Sequence, residues 1–207
     1  RAQEGAGEAA LLRYTKLAAA TKDRFRKVEM AIRAAQLKAK LGKEDEALKG
    51  FETQLAVVNP SSWLYRDIRS RIEEVFWAGS DFDGLVKYYT AWVEEHPDDV
   101  DAMMRTARVL SIQKRTPEAK EWFRRAIKRA PTNTDARLAL VAALSNDGAM
   151  ADAAKEMEAL VELEPENPAY IVRLGELTLE NKEIPEEQCK QQAAEIWKRM
   201  LKTRGDD

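Results

Sequence analysis

The sequence has one cysteine, one histidine and few residues that break helices. Cys189 has no second cysteine to pair with, and His96 is the only histidine, so a Cys/His metal site is excluded. Glycine (9) and proline (7) are scarce in 207 residues, unlike the composition of barrels, sandwiches or disordered chains. These shortages predict an all-α protein without a disulfide, a metal or a cofactor.

Long apolar runs and an excess of one charge are also lacking. The longest apolar run, LALVAAL at 138–144, is far shorter than the roughly 20 residues that cross a bilayer. We therefore expect a soluble chain with no membrane partner, and a cytoplasmic location is favoured. The net charge is −2, from 34 Lys and Arg against 36 Asp and Glu, which argues against a nucleic-acid partner.

What the sequence does contain is a repeat of 34 residues. PDDVDAM at 97–103 is followed by PTNTDAR at 131–137 and by PENPAYI at 165–171. When 100–133 is aligned on 134–167, small and turn residues coincide. The matching pairs are Asp101/Asp135, Ala102/Ala136, Leu110/Leu144, Ser111/Ser145, Ala119/Ala153, Pro131/Pro165 and Asn133/Asn167. A fixed period of this length indicates a tandem array of supersecondary units.

A second pattern places a turn residue before a small, a large and a small or apolar residue, at +5, +9 and +12. The sets are Gly5/Ala10/Tyr14/Leu17, Gly42/Ala47/Phe51/Gln54, Gly79/Gly84/Tyr88/Ala91, Lys114/Ala119/Phe123/Ala126 and Gly148/Ala153/Met157/Leu160, with offsets of 37, 37, 35 and 34. Residues three and four apart share one face of a helix, and a small residue there lets a partner helix approach closely. Each period is therefore predicted to be a helix, a tight turn and a second helix.

The joints between periods also carry start and stop signals. Proline disfavours helical geometry in the residue before it, and the polar residues that follow cap the next helix. Thr116 and Asn167 each stand as a capping side chain before a proline at the first helical position. We predict helices near 4–20, 23–41, 44–58, 61–78, 81–95, 100–114, 117–130, 134–146, 151–163, 168–181 and 186–203.

This spacing resembles the tetratricopeptide repeat (TPR), which has small residues at its eighth, twentieth and twenty-seventh places and proline at its thirty-second. Residues 100–133 hold Ala107, Ala119, Ala126 and Pro131 there. The resemblance implies a right-handed superhelical solenoid of about five antiparallel helix pairs, preceded by an N-terminal helix. Because one unit cannot bury its apolar face alone, the units are expected to stack, with the first helices lining a concave side.

The predicted organisation is one repeat domain over 1–207. Its units are a partial 1–22, then 23–60, 61–97, 98–131 and 132–165, and an atypical C-terminal cap at 166–207. The first unit looks like the second helix of a repeat whose first helix is absent, and the chain opens at Arg1 without methionine. We therefore expect the sequence to be a piece of a longer protein.

Motifs that carry enzyme chemistry are not found in the sequence. The patterns G-x-x-x-x-G-K-[ST], G-x-G-x-x-G, G-x-S-x-G and H-E-x-x-H do not occur. The segment GSDFDG at 79–84 lacks the glycine and glutamate spacing of a calcium loop and is interpreted as a turn between helices. We predict no catalytic residue and no enzyme activity.

The candidate binding residues are arginines on the first helices together with one tryptophan and one methionine. They are Arg66, Arg69, Trp77, Met104, Arg105, Arg108 and Arg173. Arginine binds carboxylates through two hydrogen bonds at once, so a concave arginine stripe would suit an acidic protein or peptide segment. The alternative is that these arginines pair with Glu73, Asp101 or Glu176 nearby, which would leave a neutral, solvated face.

Three functions stay open at this point. The resemblance favours a non-enzymatic scaffold that binds a peptide or protein segment in the concave groove. A second hypothesis is a regulatory or recruiting segment of a larger multidomain enzyme, and a third is an RNA-binding helical repeat. Exposed apolar faces at the ends of a solenoid would also permit self-association. The Lys and Asn positions with which one TPR subfamily binds chaperone C termini are not reproduced here.

Overall fold

The computed structural model describes residues 2–203, and side-chain surroundings for 5–198, as helices joined by short turns. The helices are α1 (Ala2–Ala20), α2 (Arg24–Lys40), α3 (Glu44–Leu55), α4 (Trp63–Ala78), α5 (Phe82–Glu95), α6 (Val100–Ile112), α7 (Thr116–Arg129), α8 (Thr134–Asn146), α9 (Met150–Leu163), α10 (Pro168–Glu180) and α11 (Glu186–Thr203). No strand occurs among the described residues. Every predicted helix is present and no end differs by more than three residues, so the all-α helical-repeat prediction is confirmed.

The chain divides into two compact units, Arg1–Gly84 and Leu85–Asp207. In the first unit α1 packs on α2, α2 on α3 and α3 on α4, and α2 also contacts α4. In the second unit each helix from α6 to α10 packs on the next one along the chain. Within each unit the short turns make consecutive helices antiparallel. By the register of the repeat, α2, α4, α6, α8 and α10 are the first helices of the pairs. The prediction of one continuous domain over 1–207 stays a prediction.

Each first helix begins with a side chain that caps it. An oxygen of this residue accepts a hydrogen bond from a backbone N–H two or three positions later, satisfying one of the donors left free at a helix start. The caps are Asp23, Ser62, Asp99, Asn133 and Asn167. The second helices α3, α7 and α9 have no such cap, and the predicted cap Thr116 is instead the first residue of α7.

The turns inside the pairs share one backbone conformation. The residue with positive φ is Gly42 (73°), Ser80 (54°), Lys114 (59°) or Gly148 (79°), so its spacing along the chain is 38, 34 and 34 residues. This corrects the predicted third turn residue, because Gly79 has φ of −88° and Ser80 takes the left-handed conformation that closes the helix.

The second helices bury the residues five and nine positions after each turn, and in α3, α7 and α9 these are the predicted small and large residues. Five and nine positions after the turn residue, the buried pairs are Ala47/Phe51, Leu85/Tyr89, Ala119/Phe123 and Ala153/Met157. The third pair differs from the predicted Gly84 and Tyr88 because the turn lies one residue later. Alanine at three of these sites leaves room for the neighbouring helix, and the larger residue fills the space one turn further along.

Changing the turn residues should alter stability in opposite directions. Lys114→Gly removes a side chain from a left-handed position, and we expect the free energy of unfolding to rise by about 0.5–1 kcal/mol. Gly148→Ala should lower it by about 1–2 kcal/mol, because alanine disfavours positive φ. Urea denaturation measures both. The control Gln113→Gly lies at negative φ, so glycine there should only destabilise; a gain equal to that of Lys114→Gly would refute the explanation.

Candidate functional site

A groove runs between the first helices α2 and α4 of the first unit. The two helices lie side by side in the same direction, because residues 25–36 face 63–71 and residues 36–40 face 71–78. Between their N-terminal halves lies a cleft of about 340 Å³, which we call the aromatic cleft after Phe25 and Trp63. Together with the cleft between their C-terminal halves, it forms the α2–α4 groove.

The second cleft, of about 240 Å³, has an apolar floor and a charged rim. Phe51 of α3 and Val75 of α4 are buried and form the floor, and Ala39 and Ala78 line the sides. We call this the apolar cleft. Its rim carries Lys40, Glu44 and Glu74, while Gln36 and Arg71 line both clefts and make them continuous.

The aromatic cleft exposes two large rings to solvent. Phe25 is 55% exposed and Trp63 is 61% exposed, so more than half of the surface of each residue is in contact with solvent. Each lies in the first turn of its helix, at the same end of the groove. Exposed aromatic rings beside a concave surface are typical anchors for a binding partner.

Three residues of α2 have chemically matching counterparts 38 residues later on α4. The pairs are Phe25 and Trp63, Glu29 and Asp67, and Arg33 and Arg71. Each helix therefore presents an aromatic residue, an acid and an arginine at successive turns along one face. The groove is thus lined by matched rows on both sides.

The acidic and basic rows are joined by ion pairs along each helix. Arg33 donates from Nε (3.2 Å) and Nη2 (2.8 Å) to the single oxygen Oε1 of Glu29. Arg71 instead donates from Nε to Oδ2 of Asp67 (2.7 Å) and from Nη2 to Oδ1 (3.2 Å). The hydrogen bond and charge of Glu29 raise the pKa of Arg33 above its ordinary value, with a smaller contribution from Tyr14. The pairs hold these four side chains in place at the groove.

The predicted site residues on α4 occupy different environments. Arg66 is exposed, whereas Arg69 is completely buried, so the expectation that Arg69 lines a binding face is wrong. Arg69 lies beside Ile68 on the inner face of α4. Its Nη2 donates to the hydroxyl of Tyr65 at 2.9 Å, and its guanidinium lies 5.2 Å from the centre of that ring. Trp77 is exposed and packs edge-on against Phe82, and it lines neither cleft.

In the second unit the arginines are mostly paired. Met104 is buried in the core and is not presented to a partner, in contrast to the prediction. Arg105 donates to Asp101 at 2.7 Å and its side chain is only 14% exposed. Arg173 pairs with Glu176 at 3.0 Å and with Glu180 at 3.6 Å. Only Arg108 of this set is exposed without an ion pair to a described residue. Arg105 and Arg173 therefore pair with nearby carboxylates, which is the alternative that the sequence left open for the arginine stripe.

Sequence reasoning did not single out the residues that line the α2–α4 groove. Their signal is nevertheless readable, since F-x-x-x-E-x-x-x-R at 25–33 and W-x-x-x-D-x-x-x-R at 63–71 share one pattern. The spacing of four keeps each set on one helical face. The acid and the arginine recur as Asp101 and Arg105, but the aromatic residue is lost after α4, because position 97 is proline.

Comparison with protein families gives two overlapping matches. Two models described as tetratricopeptide repeat match residues 74–134 and 110–174. Residues 74–174 of the chain are tetratricopeptide repeats. The matched ranges cover the repeats in which the 34-residue period is most regular, and the family agrees with the antiparallel helix pairs of the structure.

Solved TPR structures share the fold at low sequence identity. MamA residues 41-end from Desulfovibrio magneticus RS-1 is 20% identical, with 87% of this chain and 97% of that chain covered and a TM-score of 0.52. Another MamA structure is 12% identical over 84% and 90% of the two chains, with a TM-score of 0.55. YrrB, a TPR protein with an unusual peptide-binding site, is 15% identical over 86% of each chain, with a TM-score of 0.51. No curated protein matches this chain.

Two further properties concern the described part of this TPR chain. No group of three or more His, Cys, Asp and Glu side chains there is placed to hold a metal ion. Each helix in that part is too short or too polar to cross a bilayer.

Proposed function

We propose that the chain is an interaction scaffold whose α2–α4 groove binds a peptide segment of a partner protein. The observation that carries this proposal is the exposure of Phe25 and Trp63 on the two sides of one cleft. The TPR family supports the scaffold role, because the fold supplies rigid helices between which a concave surface is held. YrrB, which is described as having an unusual peptide-binding site, offers an analogy within the same fold.

The gain from covering the two rings is large enough to matter for binding. An aromatic side chain has about 150–250 Å² of surface, and more than half of each ring is in water. At about 25 cal/mol per Å², a ligand that covered both would gain about 5 kcal/mol before the cost of association. Rigid aromatic anchors of this kind dominate many protein interfaces.

Selection from a random peptide library displayed on phage tests this function. We expect the native chain to enrich peptides that bind it, and the Phe25→Ala/Trp63→Ala variant to bind the same peptides about 100-fold more weakly. Both side chains are exposed, so the variant should keep its helical circular dichroism. The matched control is Trp77→Ala, an exposed tryptophan of the same unit that lines neither cleft.

The three possible results lead to different conclusions about where a peptide binds. Loss of binding in the double variant alone supports the groove. If Trp77→Ala reduces binding while the double variant retains it, the site lies at the turn between α4 and α5 instead. A selection that enriches no peptide rejects peptide binding by this chain.

Two members of the predicted arginine stripe remain proposed contacts for an acidic segment. Arg66 of α4 and Arg108 of α6 are exposed and form no ion pair with a described residue. Each lies in a different unit, so each is proposed as a separate contact. In the same selection, Arg66→Glu and Arg108→Glu variants should lose only those enriched peptides that contain acidic residues.

A further inference from the structure

The side chains that line the α2–α4 groove change in character from one end of the groove to the other. From the start of α2 and α4 it presents the aromatic row, then the acidic row of Glu29 and Asp67, then the basic row of Arg33 and Arg71. The apolar cleft over Phe51 follows at the other end. Because both helices carry the same order, a segment lying along the groove meets one chemistry at a time.

The apolar cleft has room for one apolar side chain. Its volume is about 240 Å³, and an apolar cavity of about 150 Å³ already holds benzene. Phe51 and Val75 close it from below and its upper side is open, so an inserted side chain would bury the face that contacts them. The charged rim of Lys40, Glu44 and Glu74 would stay at the surface and contact the ligand backbone.

The other end of the groove has the features that bind a cationic side chain. Exposed rings of phenylalanine and tryptophan attract cations to their faces, and the two carboxylates lie one turn away on the same helix faces. Both donors of Arg33 converge on Oε1 of Glu29, so the Oε2 oxygen receives no hydrogen bond from Arg33. A lysine or arginine of a ligand can bind this oxygen without breaking the existing ion pair.

The distance between the two ends sets a spacing on the ligand. Asp67 lies eight residues before Val75 on α4, which is about 12 Å along a helix at 1.5 Å per residue. An extended peptide advances about 3.3 Å per residue, so about four residues cover this distance. The apolar side chain and the cation should therefore lie about four positions apart.

We infer that the groove recognises an extended segment in which a large apolar residue and a lysine or arginine are separated by three residues. The apolar side chain enters the cleft over Phe51, and the cation binds between the rings and carboxylates of the opposite end. This inference rests on the proposed peptide-binding function and specifies which peptides the groove selects. It favours a ligand with a basic residue, unlike the acidic segment expected for the arginine stripe.

A set of synthetic peptides tests the inference directly. The probes are fluorescein-labelled twelve-residue peptides of alanine and serine with one leucine and one lysine, at separations of two to seven positions and in both orders. Fluorescence anisotropy with the native chain should give the tightest binding at a separation of four. Replacement of that lysine by glutamate, or a separation of two, should weaken binding at least tenfold.

Two variants of the protein test which end of the groove binds the cation and which binds the apolar side chain. Glu29→Lys/Asp67→Lys should reverse the preference, so that the peptide with glutamate binds better than the peptide with lysine. Ala78→Leu partly fills the apolar cleft from an exposed position and should weaken binding of the leucine peptide about tenfold. Circular dichroism establishes that each variant is folded, and Trp77→Ala serves again as the control.

The outcomes distinguish this inference from the function on which it rests. If phage-selected peptides bind the aromatic cleft but show no preference for lysine or for the spacing of four, the inference fails while peptide binding stands. An unchanged preference in the Glu29→Lys/Asp67→Lys variant also overturns it. If neither selected nor designed peptides bind, both the function and the inference are rejected.

Discussion

Replacing Phe123 with alanine should lower the free energy of unfolding by about 3–5 kcal/mol, the range found when a buried aromatic side chain is deleted. Phe123 lies on α7 and is almost completely buried, nine positions after the turn residue Lys114. The surrounding helices close the space that the ring leaves only in part, so a cavity remains. Urea denaturation followed by circular dichroism measures the change.

The control for this prediction is an apolar residue of the same unit that is partly exposed. Leu163 at the end of α9 is 38% exposed, so Leu163→Ala should lower the free energy of unfolding by only about 1 kcal/mol. Folded domains are stable by only about 5–15 kcal/mol, so Phe123→Ala should be visibly less cooperative or partly unfolded at 37 °C. A loss below about 1 kcal/mol would mean that α7 does not pack as the structure shows.

Gly175→Ala is expected to disturb the contact between α10 and α11. A Cβ atom at this position would lie 2.1 Å from Nε1 and 2.3 Å from Cε2 of Trp197, much closer than non-bonded atoms approach. The indole must therefore move, and its hydrogen bond to the carbonyl of Val172, at 3.4 Å, is lost. Overpacking of this kind costs about 1–3 kcal/mol. We expect the tryptophan fluorescence of the native state to change together with the stability.

A double variant separates this clash from other effects of the glycine. Trp197→Leu removes the ring, so adding Gly175→Ala to it should cost much less than adding Gly175→Ala to the native chain. Gly5 has no atom within 4 Å of an added Cβ, so Gly5→Ala should not destabilise the chain. Equal costs for Gly175→Ala in the presence and absence of Trp197 would show that the contact is not the cause.

Much of the fold could be predicted because the repeat signals are local. A turn residue followed by buried positions at +5 and +9 depends only on helix geometry, and it located α3, α7 and α9 through pairs such as Ala119 and Phe123. The error at Gly79 has a physical origin. Glycine is the residue that most readily takes positive φ, but here Ser80 takes it, because the buried Leu85 and Tyr89 set where α5 begins.

The candidate site was less predictable because it depends on which face of a first helix is outward. Arginine is usually exposed, so the sequence predicts Arg69 in a groove. In the structure Arg69 lies in the core. The methylene part of its side chain is apolar, and Tyr65 accepts a hydrogen bond from its guanidinium. For Phe25 and Trp63 the opposite holds: aromatic residues at helical spacing are usually buried in the core, yet these two are exposed. Only the packing of α2 beside α4 shows that both rings remain in solvent.

The uneven distribution of helix caps has a consequence for the order in which the chain folds. Starting a helix is the unfavourable step, and a capping side chain stabilises the start by about 1 kcal/mol. Asp99, Asn133 and Asn167 provide this at first helices, whereas α7 and α9 begin after a turn without a side-chain cap. Nucleation is therefore easiest at the first helix of the pairs α6–α7 and α8–α9, and the second helix of each elongates from the turn once its partner has formed. Each repeat thereby carries its own starting point for folding, and growth can proceed from several places along the chain at once.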